Sequence, residues 1–139
     1  GARVGLYGGR VTDQYFPYTM PQENGNKTDV RWVAVTNAAG QGLIAIGEPL
    51  LNVNVRDYSD EALLRAKQTQ ELPRTRTTVV NLDLAQMGLG GDDSWTPRVH
   101  PEFQLPGNRT YSYRFRIRPV DLKQPNWLEG LKAAAPAGK

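Results

Sequence analysis

Alternation of apolar and polar side chains with period two is the dominant pattern along this chain, and it predicts strands. Residues 30–36 (VRWVAVT) and 43–46 (LIAI) flank a six-residue link, 37–42, that carries two glycines, the pattern of a hairpin. Leu51, Val53 and Val55 then alternate with Asn52 and Asn54, which puts the aliphatics on one face. Residues 77–84 repeat the theme, with Val80, Leu82 and Leu84 on one side and Val79, Asn81 and Asp83 on the other. The clearest alternation comes last. Tyr111, Tyr113, Phe115 and Ile117 interleave with Ser112, Arg114, Arg116 and Arg118, predicting a strand with an aromatic-aliphatic face and an arginine face. The arginine face is expected to be the solvated one, as one side of an antiparallel sheet commonly is.

One helix is predicted, over residues 60–68. Ser59 is placed to cap it, and Asp60 and Glu61 sit in the first turn, where carboxylates favour the positive end of the helix dipole. Leu63, Leu64 and Lys67 give it one apolar edge. From residue 121 onward the pattern dissolves into Lys-Gln-Pro-Asn-Trp and an end rich in Ala, Gly and Pro, so residues 121–139 read as a tail and 1–120 as the domain. No internal repeat is visible. Several short strands with loop-rich links make the expected fold class all-β, an antiparallel sandwich with one short helix.

Composition narrows the function classes. The chain has 139 residues, about one domain, so a large multi-part enzyme is excluded for this chain alone. Hydrophobic residues at 39%, with three Trp, six Tyr and three Phe, supply enough material for a core and argue against disorder. The absence of cysteine removes disulfides, thiolate metal sites and cysteine nucleophiles, and leaves the compartment open. A net charge of +3, from 17 basic and 14 acidic residues, is too mild to predict a nucleic-acid partner. No apolar run approaches a membrane span, and the N-terminus has no signal-peptide pattern. Beginning at Gly1 rather than Met, the chain is expected to be a processed product, an engineered piece or a part of something longer.

The candidate chemistry is sparse. Glu23, Glu48, Glu61, Glu71, Glu102 and Glu129 are dispersed near turn or helix-start signals, where solvated acids are ordinary, so no catalytic carboxylate pair is predicted. Asp92 and Asp93 are adjacent and read as acceptors for backbone N–H groups that hold a glycine-rich loop in shape. His100 is the only histidine, which leaves no basis for a metal site or a catalytic triad built on it. The glycines of 88–91 lack the Lys-Ser/Thr and helix of a phosphate loop. Asn26-Lys-Thr28 and Asn108-Arg-Thr110 match the glycosylation acceptor, a common match. Two segments remain. Residues 15–25 (YFPYTMPQENG) hold two prolines that stiffen an extended loop, and residues 87–97 (MGLGGDDSWTP) carry Trp95 on a glycine-rich loop. Trp95 there is either packed in the core or exposed, and an exposed indole suits stacking on the C–H face of a sugar.

Taken together, Pro17-Tyr18, Pro21-Gln-Glu-Asn-Gly25, Arg31-Trp32 and above all Met87-Gly-x-Gly-Gly-Asp-Asp-Ser-Trp95, followed by Pro101-Glu-x-x-Leu105, resemble the C-terminal domain of the large bacterial β-galactosidases of glycoside hydrolase family 2. The resemblance runs from about Asp13 to Pro119. It implies a β-supersandwich akin to galactose mutarotase, of which this chain would be the C-terminal half. It also implies an enzyme that hydrolyses terminal β-D-galactosides such as lactose, with two glutamates in a barrel absent from this sequence and with magnesium and sodium sites mostly in that barrel. No catalytic residue and no metal ligand of this chain follow from it. Trp95 maps onto the family tryptophan that reaches into the active site and stacks on the sugar. Gly90, Gly91, Asp92, Asp93 and Ser94 would shape its loop, and Glu23 and Asn24 would sit in an ordered structural segment.

The expected partners are the remainder of the β-galactosidase chain or a large subunit, a galactoside, and further copies in a homo-oligomer, with neither nucleic acid nor membrane. The expected compartment is the cytoplasm, with the periplasm open. Because half a sandwich exposes a core face, the chain is expected to pair with itself or to be part of a longer polypeptide. The alternative reading is a galactoside-binding module without hydrolysis, or a structural and assembly module with Trp95 buried.

Overall fold

A computed structural model describes residues 3–93 and 95–132. Among them are four strands: β1 (Lys27–Thr36), β2 (Gln41–Arg56), β3 (Val79–Asp83) and β4 (Arg114–Asp121). They form one sheet in the order β1-β2-β3, with β4 also paired to β2. The chain is therefore all-β and antiparallel, with little helix: α1 (Asp60–Arg65), the single turn α2 (Glu129–Lys132) and three 3-10 turns.

The β1–β2 hairpin forms where the alternation placed it. Asn37 closes the turn: its Oδ1 accepts from the N–H groups of Ala39 and Gln41, and Gly40 adopts the positive φ the turn requires. Gly42 leaves no room for a side chain, since a Cβ there would lie 2.0 Å from the Val35 carbonyl oxygen. The two aliphatic runs 43–46 and 51–55 belong to the single strand β2, which continues through Gly47, Glu48 and Pro49.

Two compact units divide the chain within β2. The first comprises residues 1–27 and 53–82, and its apolar centre is Tyr58 with Ala66 and Leu72, against which Tyr15, Ala62 and Leu63 pack. Ser59 caps α1 by accepting from Ala62 N–H at 3.1 Å. The helix ends at Arg65 rather than 68, because Ala66 turns to an extended conformation and is buried beside Tyr58. This unit also orders residues 15–25. Glu23 accepts from buried Asn54 at 2.5 Å and from buried Arg56 at 2.7 Å, and Asn54 donates to the Asn24 carbonyl at 2.8 Å. Arg56 is 3% exposed and also pairs with Asp60, while Arg74 pairs with Asp57 and stacks over the Tyr15 ring.

The second unit comprises residues 28–52 and 83–139 and is centred on Ile44, Ile46 and Leu131, with Trp32, Ala34, Val120 and Trp127 packed against them. Here the structure corrects three expectations. β4 begins at Arg114, not at Tyr111, because β2 supplies partners only from Gln41↔Asp121 to Glu48↔Arg114. Residues 121–132 are no tail. The chain reverses after Asp121, and Trp127 and Leu131 return to the sheet, the two indoles of Trp32 and Trp127 meeting edge to face at 5.3 Å. Residues 133–139 lie outside the described residues. The third correction concerns the faces of β4. Arg118 and Arg116 stand opposite buried Ile44 and Ile46, so the arginines share the face of the core cluster. Arg116 reaches Glu48 at 2.6 Å, its apolar stem lying on the covered face while its charge is paired. The aromatic-aliphatic side of β4 is exposed as well, with Phe115 at 40% and Ile117 at 55%, while Arg116 keeps about half of its side chain at the surface.

Candidate functional site

The loop that carries Trp95 is built by backbone freedom first and by a carboxylate second. Gly88 and Gly90 take φ of +117° and +93°, conformations that favour glycine. Gly90 also lies against the Phe103 ring, 2.2 Å from Cδ2 to where a Cβ would stand, and Gly91 is equally tight against the Arg98 carbonyl oxygen at 2.5 Å. The loop closes on itself through an isolated antiparallel bridge between Gly91 and Val99 and a bond from His100 N–H to the Gly90 carbonyl at 3.1 Å. At its tip, Asp93 Oδ1 accepts from Trp95 N–H at 2.9 Å, Thr96 N–H at 2.7 Å and the Thr96 hydroxyl at 3.0 Å. These bonds, led by the one from Thr96 N–H, hold the Asp93 carboxyl below its ordinary value of 3.8.

Asp92 plays a different part. Its Oδ1 lies 2.8 Å from His100 Nε2, and Glu102 approaches the other ring nitrogen at 3.9 Å. His100 thus fixes the first arm of the loop to the 3-10 turn Pro101–Phe103. Further support comes from Gln104, which donates to the Val99 carbonyl at 2.8 Å, and from Leu105 N–H, 3.3 Å from Met87 Sδ. The His100–Asp92 contact has no local sequence signature, since the two lie eight positions apart with Pro97 between them. The Asp93-x-x-Thr96 spacing does have one, the side-chain-to-backbone turn.

Trp95 is 86% exposed, so its indole is displayed and not packed in a core. Gly90, Gly91, Asp92 and Asp93 come together in the loop beneath it; Ser94 lies outside the described residues. Glu23 and Asn24 belong to the first unit, in the bonds to Asn54 and Arg56 described above. An apolar groove beside α2, lined in part by Trp32, Ile46, Pro49, Leu128 and Leu131, includes no residue of the Trp95 loop. Among the described residues no three His, Asp or Glu side chains converge in a way that could hold a metal ion. None of the described helices is long and apolar enough to cross a membrane.

What the loop can do chemically is present one flat apolar face, with an indole N–H at its edge, on open surface. That suits the C–H face of a sugar ring. It cannot hold a sugar tightly alone, because a pocket needs walls and converging polar groups that one exposed indole does not supply.

Comparison with known proteins adds the context. Residues 1–117 match the family model described as the β-galactosidase small chain. A β-galactosidase of Priestia megaterium is 41% identical over 120 residues, covering 86% of this chain and 12% of that protein. That of Halalkalibacterium halodurans is 38% identical over 122 residues, covering 86% and 12%, and that of Vibrio cholerae 37% identical over 117 residues, covering 84% and 11%. The chain thus spans 11–12% of the length of these relatives.

Proposed function

This chain belongs to the β-galactosidase small-chain family, and on that premise we propose that it is the C-terminal portion of an enzyme hydrolysing terminal β-D-galactosides such as lactose, to whose active site it contributes the stacking face of Trp95. The observation that carries this reading is the display of the indole, 86% exposed on a loop whose tip is tied by three hydrogen bonds to Asp93. A pre-ordered loop loses little entropy when a sugar docks, so the contact adds to affinity rather than being spent on ordering.

In this scheme the rest of the polypeptide, or a large subunit, supplies the two carboxylates that cleave the glycosidic bond. It also holds the magnesium and sodium of the complete enzyme, which acts as a cytoplasmic homo-oligomer. This chain binds and orients. Trp95 covers the apolar face of the galactosyl ring, excludes water from it, and leaves the ring's polar edges to groups of the other part. The isolated chain is accordingly inactive on a chromogenic galactoside, since its glutamates are dispersed.

The test is Trp95→Ala in the complete enzyme. A raised KM and a raised inhibition constant for galactose support the assignment, and unchanged constants remove Trp95 from the site.

A further inference from the structure

The Trp95 loop is tied at its base by a histidine. His100 lies where the two arms of the loop meet: its backbone N–H bonds the Gly90 carbonyl at 3.1 Å, beside the bridge between Gly91 and Val99. Its ring reaches Asp92 on the first arm, Nε2 to Oδ1 at 2.8 Å, and on the other side faces Glu102 of the 3-10 turn, Nδ1 to Oε1 at 3.9 Å. A carboxylate only accepts, so the bond to Asp92 places the proton of a neutral ring on Nε2 and leaves Nδ1 an acceptor that faces a second acceptor. Protonation replaces that lone pair with an N–H and sets a positive charge between two carboxylates. Asp92 from the loop and Glu102 from the turn are the titratable groups that face the ring. Among the described residues neither has a lysine or arginine partner, and Arg98 of the returning arm forms no ion pair. Asp93, next along the chain, is occupied with Trp95 and Thr96. The His100 side chain is 42% exposed, so solvent protons reach it.

We propose that His100 is a positioning residue for galactoside binding: through Asp92 and Glu102 it holds the loop in the shape that displays Trp95, and its protonated ring holds it best. The inference rests on the reading under Proposed function, to which it adds control of the Trp95 contact by a proton. Two observations carry it. The bond from Asp92 to His100 joins positions on either side of Trp95, so it closes a ring of chain that has the indole at its tip. And both nitrogens of the imidazole face carboxylates, so the charged ring makes one favourable contact more than the neutral one. Those carboxylates are largely exposed, Asp92 at 90% and Glu102 at 63%, which limits the effect to that of a surface ion pair, roughly two- to fivefold in binding.

Galactose inhibition of the complete enzyme is measured at about pH 6 and about pH 8, within the interval where histidine changes charge, for the parent, His100→Gln and His100→Ala, each with and without Trp95→Ala. His100→Gln keeps an N–H at the place of Nε2 but takes up no proton. It should bind galactose as the parent does at the higher pH and roughly two- to fivefold more weakly at the lower one. His100→Ala should be weaker by about that factor at both. Neither substitution should matter beside Trp95→Ala, where the loop has no indole to position. The tie is also read without activity, in the 139-residue chain labelled with fluorotryptophan. There the fluorine resonance of Trp95, assigned by its loss in Trp95→Phe, should move between the two pH values in the parent and not in His100→Gln. Parent and His100→Gln that bind galactose alike at both pH values would overturn the proposal, as would a loss in His100→Ala that persists once Trp95 is removed. Should Trp95→Ala by itself leave galactose inhibition unchanged, the reading under Proposed function fails; a fluorine resonance that follows His100 then still supports its hold on the loop, and one that ignores His100 overturns it.

Discussion

Replacing Trp95 by alanine removes an indole that is 86% exposed and contacts no core cluster, so the change acts on ligand contact far more than on folding. A galactosyl ring lying on one indole face covers ~50–80 Å² of apolar surface, which contributes roughly 1–2 kcal/mol at ~25 cal/mol/Å². In binding terms that is a loss of ~5- to 30-fold. In the complete enzyme we expect the inhibition constant for galactose to rise by that factor, and KM for lactose with it where KM reports binding. Trp95→Phe retains a smaller flat face and should lose about half as much free energy. Trp95→Ala in the 139-residue chain should leave the unfolding free energy, measured in urea, within ~0.5 kcal/mol of the parent, as expected for an exposed side chain. Steady-state kinetics with galactose as product inhibitor, set beside urea unfolding of the chain, separates the two effects. Binding constants that move less than about twofold, or a stability loss that accompanies every kinetic change, would refute the reasoning.

Three further outcomes follow from the same contacts. Gly90→Ala places a Cβ 2.2 Å from the Phe103 ring at φ +93°, a strain of about 1–3 kcal/mol, so the loop shifts and galactose inhibition weakens although Trp95 is intact; an unchanged inhibition constant contradicts this. Asp93 has a folded pKa held below 3.8, so its contribution to loop order is complete above 3.8 and is lost only as pH falls through the lower folded value. An NMR titration of its carboxyl with a midpoint at or above 3.8 would contradict the hydrogen bonding. Arg56→Ala strips the buried guanidinium from Glu23 and Asp60 and should cost about 3 kcal/mol by urea unfolding. Asp60→Ala, at an exposed carboxylate, should cost less than about 1 kcal/mol. Equal losses in the two variants would show that burial of Arg56 is not the source.

Much of this architecture was legible where local pattern and tertiary packing agree. The hairpin of β1 and β2, the Ser59 cap and the self-bonding of Asp93 are decided by residues within a few positions of one another, and there the sequence suffices. Legibility failed where a distant partner decides. Gly47 and Pro49 look like punctuation, yet β2 runs through them because β4 pairs alongside up to Glu48. The alternation of β4 gave its two faces but not their sense. An arginine row normally marks water, and only the return of Trp127 and Leu131 from beyond residue 121 shows that this row shares the covered face. That return is invisible in a stretch broken by Pro125 and short of periodic apolar positions. In the loop, the glycines and Trp95 were readable, while the tie between Asp92 and His100 was not, because it crosses the turn rather than following it. The network of Glu23 with Asn54 and Arg56 escaped for the same reason, spanning more than thirty residues.

On the proposed reading Trp95 forms one wall of a galactoside site completed by another part of the enzyme. A crystal structure of the complete enzyme with galactose bound tests it most directly. The indole face should lie flat on the C–H face of the sugar, with carbon atoms about 4 Å apart, and the loop should still be tied through Asp93. Galactose bound with Trp95 turned away from it, or with the indole buried against protein, would rule out a stacking role for Trp95.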